Sequence, residues 1–522
     1  MAKVHVRVID SPQSVADAME GLAVSAPNSP GSSRIALVEA VRSLNQSAAL
    51  TSDKARRVEA RLRSTDTPGV EDIMQLSRLR KQAIALTQTT QALGDAVERY
   101  FVSYVTSLAR PGEMVQTLLL HFDHEIVMIT RDVLDSTSDE KHIPREILER
   151  CYGQALDSSG TLHADNYFIS LGEASLGRPY GSDYHREAYY EPQNLLELNK
   201  GYGEDQLAQY KREAEQERSE KEEWIGFWVH ALSQCPQGPT LFYPPAGRRP
   251  ECNLAEVPHY LFRAFDHKSS GRNNQNIIAS TESITTRWEH SRVDLLSRPD
   301  EEAAKMLDRH LDKPCFNDKD NADNLMSWSS SLLFVIQYAI WRCQHGGSDP
   351  AQVLICMVDT GEFPRGQFAR DMSLIKAYRD NRRARIFEFR LEQIDYDNGE
   401  YLSQGTLYHS GRSCVVSLAQ LIQAGLHDLY PELSNPDAKE RWAKRVKELR
   451  SIWSVEHVSR EIEIQRALKI AGKCFQRYNT TDVALLLLSF KPRKLRESVE
   501  LSQSDFDEYG PREVQRYIRI AA

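Results

Sequence analysis

No stretch of this sequence carries the roughly 18 consecutive apolar residues that a membrane-spanning helix needs. The longest apolar runs, Leu332 to Trp341 with Gln337 inside it and Val483 to Leu488, stop far short. Met1 to Asp10 alternates valine with charged and polar residues and has no apolar core of a secretory signal. The expectation is a soluble intracellular protein, cytoplasmic or nuclear, with no membrane partner. The eight cysteines are scattered singly without a C-x-x-C pair, which argues against a disulfide framework or structural zinc and for free thiols in a reducing compartment. Basic excess is also missing: 65 Lys and Arg against 74 Asp and Glu leave a net charge of -9, so the chain lacks the electrostatic footprint of a nucleic-acid binder. The sequence contains no G-x-x-x-x-G-K-[ST], no G-x-G-x-x-G after a strand, no G-x-S-x-G and no H-E-x-x-H, which removes the common nucleotide-binding, esterase and zinc-protease signatures. His121-Phe122-Asp123-His124-Glu125 pairs histidines with acids but matches neither zinc-helix order. It reads as a polar helix face, and no metal site is expected.

What is present divides by pattern, and 522 residues exceed one ordinary core. Residues 1–32, rich in Ser, Pro, Gly and Ala, read as a flexible entry segment. Residues 33–157 read as a helical hairpin or bundle. Ile35, Val38, Val41 and Leu44 form one stripe, a long helix runs from Val70 to Leu108, Pro111-Gly112 stops it, and another helix spans Met114 to Leu134. Such a module suits contact with a protein partner or acceptor, or self-association. Residues 158–250 read as a linker holding a charged helix from about Glu204 to Glu223, whose Trp224 and Trp228 dock its end, followed by a proline-rich connector. Residues 251–430 alternate strands and helices, and residues 431–522 read as a C-terminal helical cap.

The middle domain is organised around Asn324 to Arg342. A short strand ends in a serine cluster and runs into a helix whose apolar residues, Leu332, Val335, Ile336, Ala339, Ile340 and Cys343, share one face. Ser329 or Ser330 is expected as N-cap, and Gly346-Gly347 as the stop. Pro258 to Phe265 reads as a strand carrying Arg263, Gln352 to Val358 as a strand buried on both faces, and Arg385 to Leu391 as a further strand. Asp397-Asn398-Gly399 is a tight-turn signal that leads directly into Glu400.

The order of Arg263, the serines Ser327 and Ser329, and Glu400 resembles the arginine–serine–glutamate triad of ADP-ribosyltransferases. The stretches His259 to Arg263, Asp323 to Leu332 and Gly399 to Gly405 are similar to an uncharacterised domain family common in fungal proteins that shares that fold. The resemblance covers about residues 255–425 and implies an α+β fold, an ADP-ribosyltransferase-like split sheet between the N-terminal helices and the C-terminal cap. It implies NAD as substrate, with Glu400, Ser327 and Ser329 catalytic and Arg263, Tyr260 and Trp328 holding the dinucleotide. The implied reaction is cleavage of the nicotinamide–ribose bond, as a transferase or a glycohydrolase. Glu400 would stabilise the ribose cation and Arg263 would clamp the pyrophosphate. Two positions depart from the pattern: Trp328 stands between the serines where threonine is usual, and Asn398 stands where transferases acting on arginine carry a second acid. The alternative is a non-catalytic interaction or scaffold protein built on a degenerate form of the same fold.

Overall fold

Helical spacing before Pro111 and alternating runs after Pro258 build different architectures. In the computed structural model the chain forms two compact units, Met1–Ala231 and Leu232–Ala522. The structure describes residues 30–64, 69–137, 139–169, 200–244, 257–285, 292–312, 323–379, 385–393, 398–434, 441–493 and 510–521. Residues 1–29 of the segment read as a flexible N-terminus, most of the unpatterned stretch after Ser158, the end of the proline-rich connector and Asp397 lie outside them, while residues 30–32 of that segment open a helix.

In the first unit the helices Pro30–Ser64 and Val70–Ser107 run antiparallel. Arg61 pairs with Asp72 near the turn and Lys54 Nζ reaches Gln82 Oε1 at 3.1 Å further along. Ile35, Val38 and Val41 remain exposed, because a two-helix hairpin offers each helix only one partner. The single helix expected from Met114 to Leu134 is two helices, Glu113–His121 and Asp123–Ser136, joined at Phe122. That break lets Phe122 turn inward and stack on Trp224 with centroids 5.8 Å apart. The charged helix is longer than expected, Lys200–Gln234. Its last turns bury Trp224, Phe227 and Trp228, and the Trp224 indole donates to the Leu162 carbonyl at 2.9 Å. His121 packs edge-on against Phe122 and Tyr167.

The second unit is built on a six-stranded antiparallel sheet. In chain order the strands are β1 (Tyr260–Phe265), β2 (Arg272–Asn273), β3 (Ile277–Ala279), β4 (Leu325–Ser329), β5 (Leu354–Asp359), β6 (Ala369–Arg370), β7 (Glu400–Gln404), β8 (Thr406–Tyr408) and β9 (Ser413–Ser417). The large sheet has the order β6-β7-β4-β1-β5-β9, and a smaller one has the order β2-β3-β8. Alternation sorts the side chains by face. On one face Phe262, Ile355 and Met357 pack beneath the helix Leu332–Gly346 together with Val446, Leu449, Ile470, Val483 and Leu487. The C-terminal helices therefore share this core and do not form a separate cap. Further along the same face, Leu325 and Leu402 meet Ala303 and Leu307 of the helix Asp300–Leu311 and Phe387 of the helix Arg385–Glu392. The opposite face carries Leu261, Phe265, Met326, Trp328, Cys356 and Tyr401.

Three local expectations are corrected. The N-cap of Leu332–Gly346 is Ser331, whose hydroxyl accepts from Phe334 N at 3.1 Å, because β4 runs one residue further than the serine pattern suggests and takes Ser329 into the sheet. Arg385 to Leu391 is helical. Its alternation of apolar and charged residues imitates a strand, but Phe387 and Leu391, four apart, both enter the core. The connector is no free spacer either: Leu241 and Phe242 are buried, Phe242 N donates to Gly366 O at 2.8 Å, and Thr240 bridges Gln404 of β7. Among the described residues, no helix is long and apolar enough to cross a membrane.

Candidate functional site

β4 and β7 pair with Ser329 opposite Glu400 and Ser327 opposite Leu402. Cross-strand partners point the same way, so Ser327, Ser329 and Glu400 share the face that carries the helices Asp300–Leu311 and Arg385–Glu392. Glu400 Oε2 accepts from Arg390 at 2.8 Å, and Arg390 also donates to Asp371 Oδ2 at 3.0 Å and Asn398 Oδ1 at 3.4 Å. Burial pushes the Glu400 carboxyl up, but the Arg390 guanidinium, the His310 ring and the Ser327 hydroxyl hold it below its ordinary value. It is an ionised carboxylate in a mostly water-excluded place.

The half-buried Ser327 is the hub. Its Oγ lies 2.9 Å from His310 Nε2, and His310 Nδ1 lies 3.1 Å from both oxygens of Asp323. Asp323 is fixed in turn by the Leu325 N–H at 2.9 Å. His310 and Asp323 are 9% and 6% exposed, so the ring is held by packing as well as by hydrogen bonds. Ser329 serves the backbone: its hydroxyl donates to Asn398 O at 2.6 Å and accepts from Ser331 N at 3.0 Å, tying the end of β4 to the turn before β7.

The other residues proposed from sequence stand apart from this cluster. Strand alternation assigns Arg263 to the side of Leu261 and Phe265. β1 and β4 meet only through Phe262 and Ser329, and at this divergence the Arg263 guanidinium donates to the main-chain carbonyl of Ser327 at 2.6 Å and to Asn273 Oδ1 at 3.3 Å. Arg263 thus supports Ser327 from behind. Trp328, one residue from Ser327, faces the opposite core, its indole donating to Ser403 Oγ at 2.9 Å. Tyr260 donates to Asp482 Oδ2 at 2.7 Å and lines an apolar cavity of about 50 Å³ with Phe262, Leu332, Phe490 and Tyr517, far below the several hundred Å³ of a nucleotide-sized pocket.

His310, Asp323, Asp371 and Arg390 were not singled out from the sequence. A signal existed for one of them: His310 stands three residues after Leu307, on the buried stripe of a strongly amphipathic helix, where a polar side chain needs a partner. Among the described residues no group of three His, Cys, Asp or Glu side chains is arranged to hold a metal ion.

The class defined so far is a mixed unit of antiparallel sheets and helices with a buried polar cluster on one sheet face. A family model described as a domain of unknown function, DUF7587, matches residues 256–420. That span contains all nine strands found among the described residues and every residue of the cluster, and it stops short of the C-terminal helices. No curated protein and no solved structure matches the chain.

Proposed function

We propose that the second unit cleaves the nicotinamide–ribose bond of NAD on an ADP-ribosyltransferase-like fold, with Glu400 as the residue that stabilises the ribose cation. The observation that carries this reading is an ionised carboxylate beside the Ser327 hydroxyl in a nearly dry environment, where a fixed charge acts far more strongly on a developing cation than in water. As the carbon–nitrogen bond breaks, its electron pair leaves with neutral nicotinamide. Positive charge grows on the ribose beside Glu400, and water or an acceptor then adds and loses a proton. In this reading Ser327 orients the ribose and the carboxylate, Ser329 holds the turn, and Arg263 braces β4.

A specific observation favours a second reading, a non-catalytic interaction protein on a degenerate fold: Arg263, Arg390, Glu400 and Ser329 all have partners within the protein. Nicotinamide release from NAD by the full chain, together with calorimetric NAD binding, separates the two. Glu400→Gln keeps the shape and removes the charge, so it is expected to slow release by about 10²-fold or more while binding persists. A wild-type protein with neither turnover nor NAD affinity replaces the enzymatic reading with the second.

A further inference from the structure

We infer that Ser327, His310 and Asp323 form a nucleophilic triad, giving this unit an acyl-transfer activity toward esters or thioesters that is independent of NAD chemistry. Three observations converge. The distances along the chain Ser327 Oγ, His310 Nε2, His310 Nδ1, Asp323 are 2.9 and 3.1 Å, within hydrogen-bond reach at each step. Both Asp323 oxygens face Nδ1 at equal distance, which requires the proton of a neutral ring to sit on Nδ1 and leaves the Nε2 lone pair aimed at the serine hydroxyl. The acid and the ring are buried while Ser327 is partly open, so the orienting groups are shielded and the attacking atom is the one with access.

The recognisable feature of such a triad is geometry and role, not sequence position. Here His310 comes from the last turn of a helix, and Asp323 and Ser327 stand four positions apart on the way into β4, with no local motif. The step balances as follows. Ser327 Oγ adds to the acyl carbon of an ester or thioester as its proton passes to His310 Nε2. The bond from acyl carbon to leaving oxygen or sulfur then breaks, and the leaving group takes the proton from His310. Water attacks the acyl-serine as one of its protons passes to His310, the bond from acyl carbon to Ser327 Oγ breaks, and His310 returns that proton to Ser327 as the carboxylic acid leaves. Asp323 stays ionised throughout and stabilises the imidazolium of both half-reactions. Glu400, whose carboxylate lies close enough for the His310 ring to lower its proton affinity, adds to that stabilisation.

The test treats the full chain with a fluorophosphonate, which phosphonylates only activated serines, and locates the adduct by peptide mass. The expected result is one adduct per chain at Ser327, absent from heat-unfolded protein and from Ser327→Ala. His310→Gln is expected to slow labelling by about 10²-fold or more, the usual worth of a positioned general base, and Asp323→Asn to slow it by releasing the tautomer. Because removing the buried ring or its carboxylate can disturb folding, the wild-type protein and Ser327→Ala, which removes a single oxygen, form the primary comparison. An unlabelled wild-type protein overturns the inference, as does an adduct on another serine or an undiminished rate in a folded His310→Gln. The probe needs no NAD, so this inference and the NAD reading can fail separately.

Discussion

Replacing Arg390 tests whether the polar cluster is held by one guanidinium. Arg390 bridges Glu400 and Asp371, at 2.8 and 3.0 Å, and the three side chains are 14%, 12% and 2% exposed. Arg390→Leu keeps the bulk packed with the helix Arg385–Glu392 but leaves two carboxylates facing each other out of water. Breaking one side of a buried pair costs about 3–5 kcal/mol, and here the lost partner served two acids, which favours the upper half. Hydrogen exchange read on peptides from β4 and β7 reports the opening of this region without requiring the whole chain to unfold in one step. The expected change is a rise in the opening constant of about 10³-fold to 5 × 10³-fold at pH 7.

The pH dependence follows from the same cation. In the native protein Glu400 sits below its ordinary value of 4.5. It therefore contributes stability that is present above that value and lost as pH falls through the lower, folded one. Without Arg390 the burial that already pushes the carboxyl up dominates, its folded value rises above 4.5, and the variant regains stability relative to wild type as acid protonates Glu400. The gap between the two proteins should shrink as pH falls from 7 to 4. A gap below about 1 kcal/mol at pH 7, or one that does not move with pH, refutes the view that Arg390 neutralises a buried acid pair. In the double variant with Glu400→Gln most of the loss should be recovered, because the unpaired charge is gone.

Gly399 holds φ +61°, and a Cβ there would lie 2.1 Å from Ser330 Oγ and 3.0 Å from Pro511. Gly399→Ala is thus expected to cost at least about 1–2 kcal/mol from backbone handedness alone, seen as a lower melting temperature, and an unchanged melt contradicts the strained turn. Burial holds the His409 ring down at about 4 against an ordinary 6.5. Between those values the unfolded chain binds the extra proton, so stability falls as pH falls through that window. Melting temperature against pH should show a shallower acid decline in His409→Gln than in wild type, and equal slopes would remove His409 as the cause.

The elements that were legible in the sequence are those with one dominant pattern. Leu332 to Cys343 spaces its apolar residues for a helix over a sheet, and the helix is there. Val353 to Val358 is continuously apolar because β5 is buried on both faces. Patterns serving two masters were misread. In Arg385 to Leu391 the charged positions include Arg390, which is spent on Glu400 and Asp371, and that functional spacing imitates strand alternation. The three consecutive serines could each cap a helix, and only the length of β4 decides that Ser331 does. The candidate cluster was partly legible. Ser327 and Glu400 were singled out by the order of motifs along the chain, and they fall on paired strands, whereas Arg390 and His310 come from helices that cross the sheet and have no fixed sequence distance from it. Alternation explains why Trp328 falls away, since a neighbour in a strand sequence is on the opposite face in space, whereas Tyr260 shares the face of Phe262 and is taken up by the core beneath Leu332–Gly346.

The two chemistries argued for this site meet in one proton. A serine hydroxyl has a single hydrogen to donate, and Ser327 has a basic nitrogen and a carboxylate within its surroundings. With the ring neutral, Asp323 claims the Nδ1 proton through both its oxygens, so Nε2 must accept and the Ser327 hydrogen points to His310. The alternative arrangement turns that hydrogen to Glu400, whose ionised form the Ser327 hydroxyl supports. The first arrangement makes the oxygen a nucleophile. The second makes it a strut that holds an ionised carboxylate still. The proposed attack by Ser327 and the proposed charge stabilisation by Glu400 therefore compete for one hydrogen, and since both arrangements use the same heavy-atom positions, the choice between them requires no movement of the backbone.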